Sequence, residues 1–206
     1  MFRGGVMAAV LVALALLGAP RASVDFPEGA IATGSIERLH EALLEAMQGA
    51  ETLGVDGRAR LLEPVIDDVY DLPFMAAKVL GRSWKTLSEE DRSRWQDAFR
   101  RLTVSTYAHR FDGYSGQHFE IAGSEWAPRE TILVRTHIVT SDEQRVALDY
   151  RMRSSQGSWR IIDVYLNGTV SELALRRSEY SSVLKRDGFE SLTKAVEEKI
   201  ANPVPD

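Results

Sequence analysis

Residues 145–166, RVALDYRMRSSQGSWRIIDVYL, carry the pattern that sets the fold. In their first half Val146, Leu148, Tyr150 and Met152 alternate with Arg145, Asp149, Arg151 and Arg153. A period of two places the apolar set on one face of a strand and the charged set on the other. SSQGS is a polar turn, and the apolar run WRIIDVYL returns as a second strand. On strict alternation Ile162, Val164 and Leu166 share the side of Val146 and Leu148. Trp159, Ile161 and Asp163 then fall on the opposite side.

Two further strands precede this hairpin. Phe119 and Ile121 alternate with polar neighbours, and residues 131–140 (TILVRTHIVT) form another run. Tight polar connections between such runs predict a four-stranded antiparallel meander. The rest of the chain has a helical period. After an aperiodic lead-in over residues 24–34, Ile36, Leu39, Leu43 and Met47 share a face. A second helix is expected after Asp56, with Leu61, Leu62, Val65, Ile66 and Val69 apolar and Pro64 kinking or restarting it. Asp71 caps a third, LPFMAAKVL, ended by Gly81. In SEEDRSRWQDAFRRLTVSTYAHRF, Ser88 and Asp91 form a capping box, and Trp95, Phe99, Leu102 and Thr106 form a stripe. Two last helices are expected at 171–187, stopped by Gly188, and 190–201, stopped by Pro203. The fold class is α+β: a sheet with one apolar face covered by several amphipathic helices.

The N-terminus reads as a signal peptide over residues 1–22. Arg3 precedes an apolar run from Val6 to Leu17 that is too short to span a bilayer, followed by small residues. Cleavage is expected between Gly18 and Val24, leaving residues 23–206 as a single domain. The chain has no cysteine. This excludes lipoprotein processing and suits a bacterial periplasm, with no disulfides to hold the fold. The net charge is −5, and the leader would remove two arginines and no acid. An acidic exterior argues against nucleic acid and against lasting adsorption to anionic lipid. Asn167-Gly168-Thr169 has the form of a glycosylation sequon, which is silent in a bacterium.

Catalytic patterns are missing from the sequence. The four histidines, His40, His109, His118 and His137, lack metal-ligand spacing, and surface or locally bonded roles are expected for them. No serine lies in a nucleophile elbow. The pairs Asp67-Asp68 and Glu89-Glu90 diverge along helices. Asp163 lies inside an apolar strand and needs a partner, which Arg151, Arg153, Arg160 or backbone N–H groups can supply. What remains is apolar volume. Val146, Leu148, Tyr150, Met152, Ile162, Val164 and Leu166 form the sheet side. Phe74, Met75, Val79, Trp95, Phe99 and Leu102 form the helix side. These side chains either fill a core or line a pocket, and periodicity does not separate the two.

The stretch YRMRSSQGSWRIIDVYLNGTVSELALRRSEYSSVLKRDGFESL resembles the C-terminal half of the MlaC family of periplasmic phospholipid-binding proteins, also described as toluene-tolerance auxiliary proteins. The matching positions are Tyr150, Arg153, Gly157, Trp159, Ile161, Asp163, Val164, Gly168, Ser171, Arg177, Gly188 and Leu192. Upstream, Leu80, Gly81, Trp84, Thr106, Tyr107 and Ala108 fit the family's Leu-Gly-x-x-Trp segment and long helix. One extra residue between Gly168 and Ser171, with LALRRSEY and HRFDGYSGQHFEI, looks more like the hopanoid-associated HpnM branch.

The resemblance implies a monomeric shuttle that carries a phospholipid or hopanoid-type lipid between inner and outer membrane. Its acyl chains would lie in a cavity between sheet and helices. The implied partners are an inner-membrane ABC transporter complex and an outer-membrane lipoprotein complex. No cofactor and no catalysis are expected. Two other classes stay open on the residues alone. One is a small α+β enzyme using Asp163 or Tyr150 as acid/base on an apolar substrate. The other is a periplasmic adaptor that binds only protein.

Overall fold

The computed structural model describes residues 27–202, so the expected signal peptide lies outside the described residues. Helices α1 (Pro27–Gln48), α2 (Ala50–Val69) and α3 (Leu72–Leu80) open the fold, and a 3-10 turn over Gly81–Thr86 leads to α4 (Glu89–Arg110). Strands β1 (His118–Ala127), β2 (Thr131–Val139), β3 (Arg145–Ser155), β4 (Ser158–Leu166) and β5 (Val170–Ser171) follow. Helix α5 (Glu172–Ala201) ends the described chain. The sheet is an antiparallel meander in the order β1-β2-β3-β4-β5, and the helices pack on one of its faces.

The meander is the expected one with a fifth strand added. The two residues of β5 pair with Tyr165 and Leu166, and such a short strand shows no period of its own. Helix α1 starts inside the expected lead-in, because small residues rather than large ones face its partners. Gly29, Ala32 and Ser35 are buried in line with Ile36 and Leu39. The two C-terminal helices are the halves of α5, broken at Gly188, whose φ of 83° is open to glycine. Gly54, at φ 59°, breaks α2 in the same way, so its regular part starts near the expected Asp56.

Strand β4 is the hub. It touches α1, α2, α3 and α5, and its edge is closed by β5 and by a parallel bridge from Tyr70 to Ile161. The β3–β4 register shifts between Arg151 and Met152. Asp163 lies opposite Arg151 and Ile161 opposite Met152, which leaves Ile162 as the extra residue. This bulge corrects the strict alternation expected for the strand. Trp159 and Ile161 join Val164 and Leu166 on the side of Leu148, Tyr150 and Met152. Ile162 leaves that side and stays outside the main core cluster. Asp163 is turned away from it, as the alternation predicts.

The outer face of the sheet is polar. Arg135 bridges Glu125 at 2.6 Å and Asp149 at 3.2 Å, and Arg145 bridges Glu120 at 3.1 Å. The apolar face is therefore the one that builds the site.

Candidate functional site

The helix-facing side of the sheet runs from a sealed region to an open end. In the β2–β3 register Ile132 lies opposite Met152, Val134 opposite Tyr150, and Ile138 opposite Val146. Ile132, Val134, Tyr150 and Met152 have no more than trace exposure. Toward the other end Phe119, Ile138, Leu148 and Leu166 are half-buried, and Val146 is 41% exposed. Val170, paired with Leu166, and Leu175 in the first turn of α5 are exposed as well. One apolar face thus passes continuously from core to surface.

The side chains expected to line a pocket divide along this gradient. Met75, Val79, Trp95, Phe99 and Leu102 are buried among the helices, with Trp95 Nε1–H donating to the Ala76 carbonyl at 2.9 Å. Tyr150, Met152 and Val164 are sealed on the sheet side. Leu148 and Leu166 sit at the transition and Val146 at the rim. Ile162 is displaced by the bulge. Phe74 lies at the far corner of the sheet, where Arg153 Cζ covers its ring at 4.1 Å from the centroid. A separate groove of about 340 Å³ lies between α4 and the last half of α5. Its walls are ion pairs, among them Arg94–Glu190 at 2.9 Å, so it differs in chemistry from the apolar face.

A buried set of rings adjoins the half-open region, and the sequence reading did not single it out. His40 stacks on Phe119 with centroids 4.1 Å apart, and its Nε2 is hydrogen-bonded to the Tyr150 hydroxyl at 3.2 Å. Phe119 meets Phe111, Phe111 stacks on Tyr107, and the hydroxyls of Tyr107 and Tyr70 are hydrogen-bonded to each other. Burial pushes the His40 imidazole down to about 4, so it is neutral at pH 7. Burial likewise raises the phenols of Tyr70 and Tyr150 well above the ordinary tyrosine range. Tyr107 moves the same way, by burial first and then by the Glu172 carboxylate. Glu172 bridges Arg110 at 2.5 Å, joining the end of α4 to the start of α5 beside this set.

The position of His40 corrects the expectation of surface or locally bonded histidines. Its signal was present, because residue 40 falls on the same helical face as Ile36, Leu43 and Met47. His109 is locally bonded as expected, through Nδ1 to the Ser105 carbonyl at 2.9 Å.

Asp163 is held by hydrogen-bond donors on the chain around it. Its Oδ1 accepts the N–H groups of Val164 at 2.9 Å and Leu173 at 3.1 Å, and its Oδ2 accepts the Ser171 hydroxyl at 2.6 Å. Ser171 Oγ in turn accepts the N–H of Ala174 at 3.0 Å. The two side chains together cap α5 at its positive end. The expected arginine partners are engaged elsewhere: Arg151 with Thr131 and Pro128, Arg153 with Asp71. Burial raises the Asp163 carboxyl despite these donors. Asp163→Asn keeps the shape but loses the charge at the helix end and disturbs the Ser171 contact. The expected outcome is a loss of about 1–2 kcal/mol in urea unfolding. Unchanged stability would show that the carboxylate does not hold the end of α5.

Among the described residues no group of three or more His, Cys, Asp or Glu is placed to hold a metal ion. No helix among them is long and apolar enough to cross a membrane. The comparisons with known proteins point in one direction. The phospholipid-binding protein of Ralstonia solanacearum, solved in complex with a phospholipid, superposes with a TM-score of 0.71 at 21% identity over 84% of this chain and 97% of that one. At that identity the likeness is one of fold. The intermembrane phospholipid transport system binding protein MlaC of Haemophilus influenzae is 25% identical over 138 residues. That match spans 65% of this chain and 64% of the relative's length. The MlaC protein family matches residues 37–198, from within α1 to within α5 and across every strand. The chain belongs to the MlaC family.

Proposed function

We propose that this protein is a periplasmic lipid carrier that takes the acyl chains of a phospholipid-class ligand between its sheet and its helices. The carrying observation is the continuous apolar face that runs from sealed Tyr150 and Met152 to exposed Val146. A carrier needs apolar volume with an outlet to solvent, and this face supplies both once the layers part near Leu148. The names of its relatives support the reading. The H. influenzae protein is a phospholipid transport binding protein, and the R. solanacearum structure holds a phospholipid. In this reading Val146, Val170 and Leu175 border the mouth, and His40 and Tyr150 lie at the inner end of the half-open region. The face takes a hopanoid-type lipid by the same apolar chemistry. The inner-membrane transporter complex and the outer-membrane lipoprotein complex are the proposed sources and acceptors of the cargo.

Native mass spectrometry of protein purified from its own host, followed by lipid extraction, tests the proposal. The expected result is a lipid bound one to one. Leu148→Trp is the companion experiment. Leu148 is only half-buried, so a larger ring there can lean toward the open end. The expected outcome is loss of co-purified lipid with less than about 1 kcal/mol change in stability, below the usual cost of overpacking a sealed core. A loss of roughly 2–3 kcal/mol, with no lipid in the wild type, would make this region filled core and sink the carrier reading.

Residues 1–22 are proposed to be removed on export. Edman sequencing of the native protein is expected to start between Ala19 and Asp25. An intact Met1 in a membrane fraction would show an uncleaved anchor in its place.

A further inference from the structure

Two positions of the family pattern, Gly81 and Arg177, meet in the fold and take no part in the apolar face. The Arg177 guanidinium lies so close to Gly81 that a methyl group there would stand 3.1 Å from Nη2 and 3.4 Å from Cζ. Gly81, at φ 58°, closes α3 with its N–H on the Ala77 and Lys78 carbonyls and opens the 3-10 turn. That turn is pinned from α4. Arg92 donates from Nε to the Trp84 carbonyl and from Nη2 to the Lys85 carbonyl, both at 3.0 Å. Arg82 follows Gly81 directly, and Lys85 comes one 3-10 turn later on the side of Arg82. Arg82, Lys85 and Arg177 are all exposed. None of the three has an ion pair or a side-chain hydrogen bond among the described residues. Acids do not compensate them. Residues 72–87 contain no Asp or Glu, and on α5 Glu172 is bound to Arg110 and Glu179 to Lys199. Glu89 and Glu90 stand in the first turn of α4, at the positive end of that helix. An uncompensated cationic surface therefore stands on a chain whose net charge is −5.

We propose that Arg82, Lys85 and Arg177 dock an acidic segment of a partner protein, with the Arg177 fork taking one of its carboxylates. An exposed guanidinium without an acid of its own has its N–H fork open to a carboxylate, which it can bind bidentately. The surface is set before the partner arrives. Gly81 leaves room for the guanidinium and Arg92 fixes the turn, so little ordering is left to be done on binding. Charge complementarity selects an acidic partner, and the placement of apolar groups selects a protein over a bilayer. Leu175, 55% exposed, precedes Arg177 by two residues and so lies about 200° away around the helix axis. The cations therefore come without the apolar wedge that seats a helix in a membrane surface. The net negative charge of the chain also opposes approach to an anionic bilayer. The surface does not depend on what the sheet face carries.

Calorimetric titration of the full chain at low ionic strength tests the surface. The probes are an end-blocked octapeptide of alternating glutamate and alanine and its glutamine counterpart. The expected result is saturable binding of the glutamate peptide, weakened by added salt, and none of the glutamine peptide. Arg177→Gln, and Arg82→Gln combined with Lys85→Gln, should each weaken it about fivefold or more, the size of one lost charge pair. Arg60→Gln removes an exposed, unpaired cation from α2 and should leave binding unchanged. Arg177 also stands at the carboxyl end of α3, so a melting curve accompanies each titration. The double variant leaves that contact in place and carries the test if Arg177→Gln unfolds. Absence of binding by the wild type, or equal weakening by Arg60→Gln, overturns the proposal. Vesicles of phosphatidylglycerol and of phosphatidylcholine are sedimented with the same proteins. Retention on the phosphatidylglycerol vesicles that is lost in the same variants, without peptide binding, assigns the surface to a membrane and overturns the choice of a protein partner. Co-purified lipid is measured on the same preparations, so failure of the carrier reading is seen separately.

Discussion

Trp95→Ala is expected to cost about 3–5 kcal/mol in equilibrium unfolding, which is the range for deleting a large aromatic ring from a sealed core. Trp95 has no solvent exposure and ties three helices together. Its Nε1–H donates to the Ala76 carbonyl of α3 at 2.9 Å, and its ring meets Tyr180 of α5 edge-on with centroids 5.5 Å apart. The substitution removes ring volume, a hydrogen bond and an aromatic contact together, and the surrounding helices close the gap only in part. For a domain of this size roughly 1 kcal/mol corresponds to 2–4 °C, so the melting temperature should fall by about 6–20 °C. The same measurement decides whether Trp95 belongs to the pocket wall or to the scaffold. A side chain lining an open cavity has few atoms packed against it on that side, and its removal costs little. A loss below about 1 kcal/mol, accompanied by altered lipid occupancy, would move Trp95 into the site.

The contrast between Trp95 and Leu148 shows where sequence reading stops. Both lie on apolar stripes with the right period, and periodicity assigns both to the space between the layers. Burial separates them: Trp95 is locked among helices, whereas Leu148 lies where the sheet face begins to open. Period reports which way a side chain points and says nothing of how far the opposing layer reaches.

The hairpin of residues 145–166 was legible because one face of β3 carries Arg145, Asp149, Arg151 and Arg153. Its partner β4 is apolar on both faces, so the bulge at Ile162 leaves no mark in the residue pattern, and alternation misplaces Trp159 and Ile161. The start of α1 is hidden for a different reason. Gly29, Ala32 and Ser35 face the core there, and a reading keyed to large apolar residues passes over them. Asp163 shows the reverse case. A carboxylate inside an apolar strand demands donors, and that demand was visible in the sequence. The donors are Val164, Ser171 and Leu173, which reach it only because β5 turns the chain directly into α5.

His40 makes the fold sensitive to acid. Its imidazole is 5% exposed, stacked on Phe119 and hydrogen-bonded to the Tyr150 hydroxyl, and burial lowers it to about 4 from the ordinary histidine value of 6.5. The unfolded chain takes up a proton as pH falls through 6.5, while the folded chain refuses it until about 4. The unfolded state therefore binds more protons throughout that window, and stability declines as pH falls across it. The full shift corresponds to roughly 3 kcal/mol, a substantial part of the stability of an ordinary domain. His40→Gln keeps a hydrogen-bonding group near Tyr150 and does not titrate, so it isolates the effect from the carboxylates that protonate in the same range. Urea unfolding at intervals between pH 7 and pH 4 should show the wild type losing roughly 3 kcal/mol more than the variant. Below pH 4 the two curves should run parallel. Equal losses in wild type and variant would mean that His40 accepts its proton in the folded state, and hence that water reaches the inner end of the half-open face. The charge would be buried where α1 meets β1 and β3, so acid weakens the layers at the inner end of the half-open region.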